Sequence, residues 1–182
     1  MSKARLHGRR VETVFLDRDG TLNVPAAPGE YIREPERLAL LPGAGAAVRR
    51  LNEAGLRLVL VTNQRWMSQL GADPVLFTAT QARLAALLAS EGARLDAAYH
   101  CPHALRSCRC RKPAPGMLLR AATELRLDLA RSIIVGDARS DLQAGRAAGA
   151  GTVWISDDGA HSPLADAVCR DLTAVAHRLL DG

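Results

Sequence analysis

Acidic and hydroxyl-bearing residues stand at the ends of three apolar segments that lie far apart in the sequence. The segments are ETVFLD at 12–17, LRLVLVTN at 56–63 and RSIIVGD at 131–137. The polar residues at or just after their ends are Asp17 with Asp19, Thr62 with Asn63, and Asp137. Two carboxylates spaced as D-x-D, with a third from another segment, suit a hard cation such as Mg²⁺, which takes oxygen ligands and keeps several waters. The pattern therefore indicates a magnesium site with open positions for a phosphate.

This set of side chains could transfer a phosphoryl group. One carboxylate could attack phosphorus and form an aspartyl-phosphate, and the second could exchange protons with the leaving oxygen and then with water. The Thr-Asn pair offers hydroxyl and amide donors to the phosphoryl oxygens, and a nearby lysine would offset the charge that develops. Taken singly, VTN is also typical of a strand that runs into a turn, and GD of a turn with a helix N-cap.

Two further interpretations of the acidic residues bear on this site. DRDGTL does not fit an EF-hand calcium loop, because Gly20 stands at the fourth position and Pro28 stands where the bidentate glutamate belongs. Asp141, four residues after Asp137, is either a further acid beside the metal or a first-turn aspartate that the helix dipole favours. The sequence leaves that choice open.

Short β-branched and apolar runs alternate with helical patterns along the chain. The predicted strands are 12–17, 56–63, 95–101, 131–137 and 151–156, and the predicted helices are 43–55, 78–92, 116–127, 140–149 and 171–180. This alternation predicts βαβ units in an α/β, Rossmann-like three-layer sandwich with a mostly parallel central sheet. Ligands of such sheets bind at the carboxyl ends of the strands, so the acids and Thr62 should meet at one edge. The stretches 20–42 and 63–77 read as irregular loops that carry function or form a lid.

The segment YHCPHALRSCRCRKPAPG at 99–116 holds three of the chain's four cysteines. Its candidate metal ligands, spaced C-x-H and then C-x-C, are Cys101, His103, Cys108 and Cys110. Four such ligands suit tetrahedral Zn²⁺ in a closed structural site, although the spacing differs from a C-x₂-C finger and alone leaves the metal open. His100 is the rival ligand, but it should point to the opposite face of its strand from Cys101. A zinc clip here would fix Lys112, two residues after Cys110, by preorganisation.

The bulk properties fit one soluble domain. The 182 residues, 48% of them apolar, predict a single domain over 1–182 with a core at about 12–156. No apolar run approaches the roughly 20 residues that cross a bilayer, and the basic N-terminus is followed by a strand pattern rather than a signal-peptide core. We therefore expect a cytoplasmic monomer without membrane contact. The net charge of +5 could suit an anionic partner, but is also ordinary for an Arg-rich soluble protein.

Four ordered motifs, FLDRDGTLN, VTNQ, CRKPAPGM and VGDARSDLQAG, resemble those of the haloacid dehalogenase-like phosphatases. More closely, they resemble the small zinc-containing subgroup that includes heptose-bisphosphate and histidinol-phosphate phosphatases. The resemblance covers about residues 12–156. It implies a phosphatase that needs Mg²⁺, carries a loop-bound Zn²⁺ and lacks a large cap domain.

The resemblance also implies roles for individual residues. Asp17 matches the nucleophile and Asp19 the general acid/base, and Asp17, the backbone carbonyl of Asp19, and Asp137 match the Mg²⁺ ligands. Thr62 and Asn63 match the pair that binds the phosphoryl group, and Lys112 matches the lysine that holds it. Two further residues, Arg111 and Gln64, are candidate substrate contacts. The zinc ligands of the subgroup match the four residues of the Cys-rich segment.

The segment after VTNQ departs from the subgroup, which has a short Ser/Gly-rich loop there. Here Arg65, Trp66 and Met67 follow Gln64, and the aromatic-Thr pair at Phe77 arrives about five residues late. Trp66 and Met67 could form an apolar wall for a different leaving group, or pack within a longer loop.

The expected substrate is a small phosphorylated metabolite, first a heptose 1,7-bisphosphate and second histidinol phosphate. Two other classes of function are alternatives to a phosphatase. A zinc-dependent nucleic-acid-binding module, suggested by RSCRCRK, predicts salt-sensitive binding but leaves the three converging acids unexplained, so no nucleic-acid partner is expected. A non-catalytic phosphosugar-binding relative fits less well, because every catalytic position of the motifs is filled.

Overall fold

The computed structural model describes residues 4–157, 159 and 161–182. The strands are β1 Arg5–Leu6, β2 Arg9–Arg10, β3 Thr13–Leu16, β4 Arg57–Asn63, β5 Ala97–Cys101, β6 Ser132–Gly136, β7 Gly151–Ile155 and β8 Ala167–Cys169. The α-helices are α1 Ala44–Glu53, α2 Pro74–Ser90, α3 Gly116–Leu125, α4 Arg139–Ala148 and α5 Leu172–Leu180. Short 3₁₀ helices span Pro35–Arg37, Arg65–Ser68 and Leu129–Arg131.

A six-stranded sheet forms the middle layer, with strand order β5-β4-β3-β6-β7-β8. Every neighbouring pair in it is parallel. From β3 to β7 each strand is followed by a helix before the next strand begins, as is usual for parallel pairing, whereas the described residues between β7 and β8 form no helix. A separate antiparallel pair, β1 with β2, lies near the N-terminus.

The two faces of the sheet carry separate apolar clusters, because successive side chains of a strand point in opposite directions. On β3, Val14 and Leu16 join the cluster that packs against α1, α2 and α5. Phe15, between them, joins the cluster that packs against α3 and α4. The three-layer α/β sandwich predicted from the sequence is therefore confirmed.

The structure differs from the predicted elements in three places. Helix α2 begins at Pro74 rather than at 78, because Asp73 caps it by accepting the Val75 N–H at 2.8 Å and Pro74 occupies its first turn. The irregular stretch 63–77 is thus shorter than predicted. The pair β1–β2 and the strand β8 were not predicted, since runs of two or three residues give almost no periodic signal.

None of the helices in the described part of the chain is long and apolar enough to cross a membrane.

Candidate active site

The predicted residues at the carboxyl ends of the parallel strands surround one pocket of about 310 Å³. The site residues predicted from the sequence that line this pocket are Asp17, Asp19, Thr62, Asn63, Lys112 and Asp137. Residues 25–32, which belong to the irregular stretch 20–42, also line the pocket. The strand order explains the convergence: β4, β3 and β6 are neighbours, so their ends meet at the middle of one sheet edge.

Lys112 stands at the base of this pocket. Its Nζ lies 2.8 Å from Asp17 Oδ1 and 2.6 Å from Asp141 Oδ1, and it donates to the carbonyl of Val61 at 2.8 Å. The residue is 3% exposed, so these three acceptors match the three donors of a desolvated ammonium group. Burial lowers the pKa of Lys112, but the carboxylates of Asp141 and Asp17 outweigh this and hold the pKa above its usual value. Lys112 is therefore a fixed positive charge beside Asp17.

The acids around Lys112 repel one another. Burial raises the pKa of Asp17 to about 6 against the opposing effect of Lys112, and Asp141 raises it further. Asp137 is exposed on one side, yet desolvation by the site, followed by the charge of Asp17, raises its pKa to about 6 as well. Carboxyl oxygens of Asp17, Asp137 and Asp141 lie within 4.8 Å of one another. Such a concentration of negative charge fits a divalent cation with oxygen ligands.

Asp141 is fully buried at the start of α4. Its contacts are compatible with both roles that the sequence left open, an acid beside the metal and a first-turn aspartate of the helix. Its Oδ2 accepts the backbone N–H of Ala138 at 3.1 Å, which is a helix-capping contact. Its Oδ1 holds Lys112, and its carboxylate belongs to the same acidic group as Asp17 and Asp137. Burial raises the pKa of Asp141.

The turn after β3 brings Asp137 close to the D-x-D-G motif. Gly20 has φ +81°, in the left-handed region that favours glycine. A Cβ at Gly20 would stand 2.6 Å from the Cγ of Asp137 and closer still to its Oδ2. The absence of a side chain therefore lets the Asp137 carboxylate approach the turn that carries Asp19.

Thr62 and Asn63 are both oriented by other polar groups. Thr62 Oγ1 accepts from Gln64 Nε2 at 2.8 Å, so its own O–H is left to donate. Asn63 Nδ2 donates to the carbonyl of Lys112 at 3.0 Å, and Asn63 Oδ1 accepts the Lys112 N–H at 3.1 Å. An amide nitrogen has two hydrogens, so Asn63 keeps one N–H for a phosphoryl oxygen. The reciprocal pair also joins the end of β4 to the loop that carries Lys112.

Gln64 was predicted to contact substrate, but its side chain is fully buried. It donates to Asp19 Oδ2 at 3.0 Å and accepts the indole N–H of Trp66 at 2.9 Å. The position fits an orienting role behind Asp19. Arg111 is half-buried outside the pocket wall, and within the described residues its buried Nη1 has no hydrogen-bond partner. The predicted substrate contact of Arg111 stays a prediction.

Trp66 does not form an apolar wall for the leaving group. It is 1% exposed, and Arg33 stacks over its ring at 5.5 Å from the centroid. Packing within the longer loop is the interpretation that the structure supports.

The Cys-rich loop gathers four ligand atoms of the predicted types. Those of Cys101, His103, Cys108 and Cys110 all lie within 4.8 Å of one another. Sulfur–sulfur distances of 3.3 to 3.5 Å are too long for disulfides. They approach the roughly 3.8 Å edge of a tetrahedron with Zn–S bonds of about 2.3 Å. Burial, then the neighbouring sulfurs of Cys108 and Cys101, raises the pKa of Cys110 to about 12. Burial also acts to raise the pKa of Cys108, but hydrogen bonds from Cys110 and its other neighbours outweigh it and lower that pKa to about 6. The donor set fits Zn²⁺.

His100, the rival ligand, lies on the other side of its strand. Its ring packs against Phe77 with centroids 4.3 Å apart, and it does not belong to the ligand group. The preference for His103 agrees with the alternation of side chains along β5.

Comparison with known proteins identifies the family to which this arrangement of strand-end acids, threonine, asparagine and lysine belongs. The family model of the haloacid dehalogenase-like hydrolases matches residues 4–149. The chain belongs to this family. The resemblance predicted from the four motifs is confirmed.

Among haloacid dehalogenase-like hydrolases, several similar proteins share one name. A D-glycero-beta-D-manno-heptose-1,7-bisphosphate 7-phosphatase from Yersinia pestis is 41% identical over 150 residues, which cover 78% of each chain. The protein of that name from Bordetella bronchiseptica is 34% identical over 93% of this chain and 98% of its own. The crystal structure of the B. bronchiseptica D,D-heptose 1,7-bisphosphate phosphatase with magnesium and phosphate has a TM-score of 0.85 at 33% identity. It covers 94% of this chain and 99% of that one. The predicted class, a phosphatase of this family, is confirmed.

In this haloacid dehalogenase-like hydrolase, sequence reasoning missed the residues that hold the general-acid candidate. Arg18 is 1% exposed and pairs with Asp19, with Nη2 3.1 Å from both carboxylate oxygens. Its Nη1 donates to Gln81 of α2 at 3.1 Å. The only signal in the sequence was an arginine inside D-x-D, and nothing there paired it with Gln81.

Proposed function

We propose that this chain is a Mg²⁺-dependent phosphatase that removes the 7-phosphate of a D-glycero-D-manno-heptose 1,7-bisphosphate or a related sugar phosphate. The observation that carries the chemistry is the buried contact of Lys112 with Asp17 at the base of a pocket whose wall includes Asp19 and Asp137. The similarity to the heptose-bisphosphate phosphatases named above supports the substrate class.

The reaction follows from the positions of the side chains. A carboxylate oxygen of Asp17 attacks phosphorus, the ester P–O bond breaks, and protonated Asp19 gives its proton to the leaving alcohol oxygen. Asp19, now a carboxylate, then takes a proton from water. The water oxygen attacks phosphorus, and the bond to Asp17 breaks to release phosphate. Lys112, the Thr62 hydroxyl and an Asn63 N–H stabilise the charge on the transferring group.

Asp17 and Asp137, with the backbone carbonyl of Asp19, would hold the magnesium ion. The fit rests on the acidic group itself, whose members raise one another's pKa and are only partly neutralised by Lys112. Bound there, Mg²⁺ would neutralise phosphate charge and orient the phosphoryl group.

Phosphate release from a panel of esters tests this function. The panel contains both anomers of the heptose bisphosphate, other sugar phosphates and histidinol phosphate, the second predicted substrate. We expect Mg²⁺-dependent turnover that is highest on a heptose bisphosphate and lost in Asp17→Asn. Failure of the wild type to hydrolyse any ester in the presence of Mg²⁺ would refute the proposal.

We also propose that the Cys-rich loop binds one structural zinc ion, which sets the position of Lys112. The chain between Cys110 and Lys112 is one residue long, and the loop packs so closely on α3 that a Cβ at Gly116 would stand 2.8 Å from Cys110 Cα. Displacement of Cys110 would therefore displace Lys112 directly.

Metal analysis of the purified protein tests the zinc site. Cys108→Ser and Cys110→Ser should lower zinc from about one ion per chain to near zero and reduce kcat. Cys169→Ser, a change to the free cysteine in β8, is the matched control and should keep the zinc. Full activity in a folded, zinc-free variant would contradict the positioning role.

The monomeric state, the cytoplasmic location and the absence of a nucleic-acid partner stay predictions. Light scattering and a salt-dependent binding assay with DNA and RNA would test the first and the last.

A further inference from the structure

Three side chains, two from the turn that carries Asp19 and one from beyond the end of β4, hold the carboxylate of Asp19. Arg18 contacts both oxygens, Asn23 Nδ2 donates to Oδ1 at 3.0 Å, and Gln64 Nε2 donates to Oδ2 at 3.0 Å. The Asp19 side chain is 30% exposed, toward the pocket. Because donors contact both carboxylate oxygens, the side chain cannot rotate without losing hydrogen bonds. The set therefore fixes the direction in which the carboxyl group faces the site.

The orientation of Gln64 depends on Trp66. An indole N–H can only donate, so it must meet the amide oxygen of Gln64, and it does so at 2.9 Å. The amide nitrogen is thereby directed to Asp19 Oδ2 and to Thr62 Oγ1. Without the indole donor the buried amide could turn over, which would place its oxygen against the carboxylate of Asp19. Trp66 thus determines which end of Gln64 faces Asp19.

Arg18 is fixed by a residue of α2 in the same way. Gln81 accepts from Nη1 at 3.1 Å, which leaves Nε and Nη2 facing Asp19. The planar guanidinium group has a rigid set of donors, so holding one nitrogen aims the others. Trp66 lies in the segment after β4 where this sequence departs from the Ser/Gly-rich loop of the subgroup it resembles, and Gln81 lies beyond that segment, in α2.

We propose that Trp66, through Gln64, and Gln81, through Arg18, are positioning residues for proton transfer by Asp19. This inference rests on the proposed phosphatase activity. Neither Trp66 nor Gln81 lines the pocket, so their effect should fall on the chemical steps and leave the binding of substrate nearly unchanged.

Leaving groups differ in their need for the proton that Asp19 gives. An alkoxide leaves only when its oxygen is protonated, whereas 4-nitrophenolate is stable enough to leave without a proton. Misplacement of Asp19 should therefore slow transfer of the phosphoryl group to Asp17 from alkyl phosphates and spare transfer from aryl ones. The later attack of water on the aspartyl-phosphate, in which Asp19 is the base, is common to both esters and does not enter kcat/KM. A general loss of structure would slow both.

The test compares Trp66→Phe with wild type on a sugar phosphate and on 4-nitrophenyl phosphate. Phenylalanine keeps an aromatic ring and removes the N–H. We expect kcat/KM, which reports the steps up to formation of the aspartyl-phosphate, to fall about tenfold on the sugar phosphate, less than the roughly 10²–10⁴-fold that a complete general acid contributes. On 4-nitrophenyl phosphate kcat/KM should fall less than about twofold. Tyr99→Phe is the matched control, since it removes one aromatic donor, to Glu124, outside the pocket, and should change neither rate.

Gln81→Met is the second variant and decides the question if Trp66→Phe does not fold. It should give a smaller fall with the same selectivity for the sugar phosphate. Equal losses on both substrates, or no loss on either, would overturn the inference while leaving the proposed function intact. Absence of Mg²⁺-dependent turnover in the wild type on both substrates would overturn the proposed function and this inference with it.

Discussion

Replacement of Gly20 by alanine should weaken magnesium binding through steric contact with Asp137. The added Cβ would stand 2.6 Å from Asp137 Cγ, whereas carbon atoms pack at about 3.5–4.0 Å. The carboxylate must therefore move by about 1 Å. Disturbances of this kind around a metal ligand typically cost 10- to 100-fold in metal affinity or activity, so we expect the Mg²⁺ concentration for half-maximal activity to rise about tenfold or more.

The same change also strains the backbone, because Gly20 has φ +81°. A side chain in the left-handed region costs about 1–2 kcal/mol. Gly55→Ala is a matched control: Gly55 has φ +77°, and among the described residues no heavy atom lies within 4 Å of its would-be Cβ. Both variants should lose a similar free energy of unfolding in the absence of metal, but only Gly20→Ala should need more Mg²⁺.

Activity titrated with MgCl₂, together with denaturant unfolding of the metal-free proteins, separates the two effects. Equal Mg²⁺ requirements for wild type and Gly20→Ala would refute the assignment of Asp137 to the metal site. A raised requirement in Gly55→Ala as well would show that lost stability, rather than contact with Asp137, causes the effect.

Two further predictions concern the acids around Lys112. In Asp141→Asn the pKa of Asp17 should fall below its value of about 6, because charges within 4.8 Å repel by about 3 kcal/mol at an effective dielectric of about 20 and Lys112 screens part of this. The acid limb of kcat/KM should then move to lower pH by about one unit relative to wild type with the same substrate; an unmoved limb would contradict the repulsion. In the metal-free protein, the raised pKa of Asp17 means that the folded state binds more protons than the unfolded state between about pH 4 and 6. Its unfolding free energy should therefore decrease by about 3 kcal/mol as the pH rises through that window. Denaturant unfolding at pH 4 and 7.5 should show this decrease, and Mg²⁺ should restore the loss at pH 7.5; a stability that increases with pH would refute this.

The sheet and most of the site could be predicted because their signals are local. Each inner strand is a run of apolar residues that ends in a polar residue, as in β3 before Asp17 and β6 before Asp137. Parallel pairing then brings those ends to one edge without any further information. The four candidate metal ligands of the Cys-rich loop could be identified from the sequence in the same way, since they lie within ten residues.

The supports of the site could not be predicted, because they depend on tertiary placement. Arg18 would ordinarily be assigned to the surface, but it is buried, and one of its partners, Gln81, is brought to it by α2 from 63 residues away in the sequence. The burial of Gln64 likewise follows from Trp66, whose type suggests an apolar wall as readily as a hydrogen-bond donor. No periodic pattern distinguishes those two roles.

Different parts of the structure fix the two side chains that act on the phosphoryl group and on the leaving oxygen. Lys112 lies on a loop after β5 and is fixed by the Cys-rich loop and by Asn63, whereas Asp19 lies on the turn after β3 and is fixed by Arg18 and Gln64. In the proposed reaction Lys112 stabilises the transferring phosphoryl group of every ester, so loss of a zinc ligand should lower kcat/KM for alkyl and aryl phosphates alike. Loss of the Trp66 N–H should lower kcat/KM only for the esters whose leaving oxygen needs a proton. The two supports therefore predict different patterns of substrate dependence, and a single pair of substrates distinguishes them.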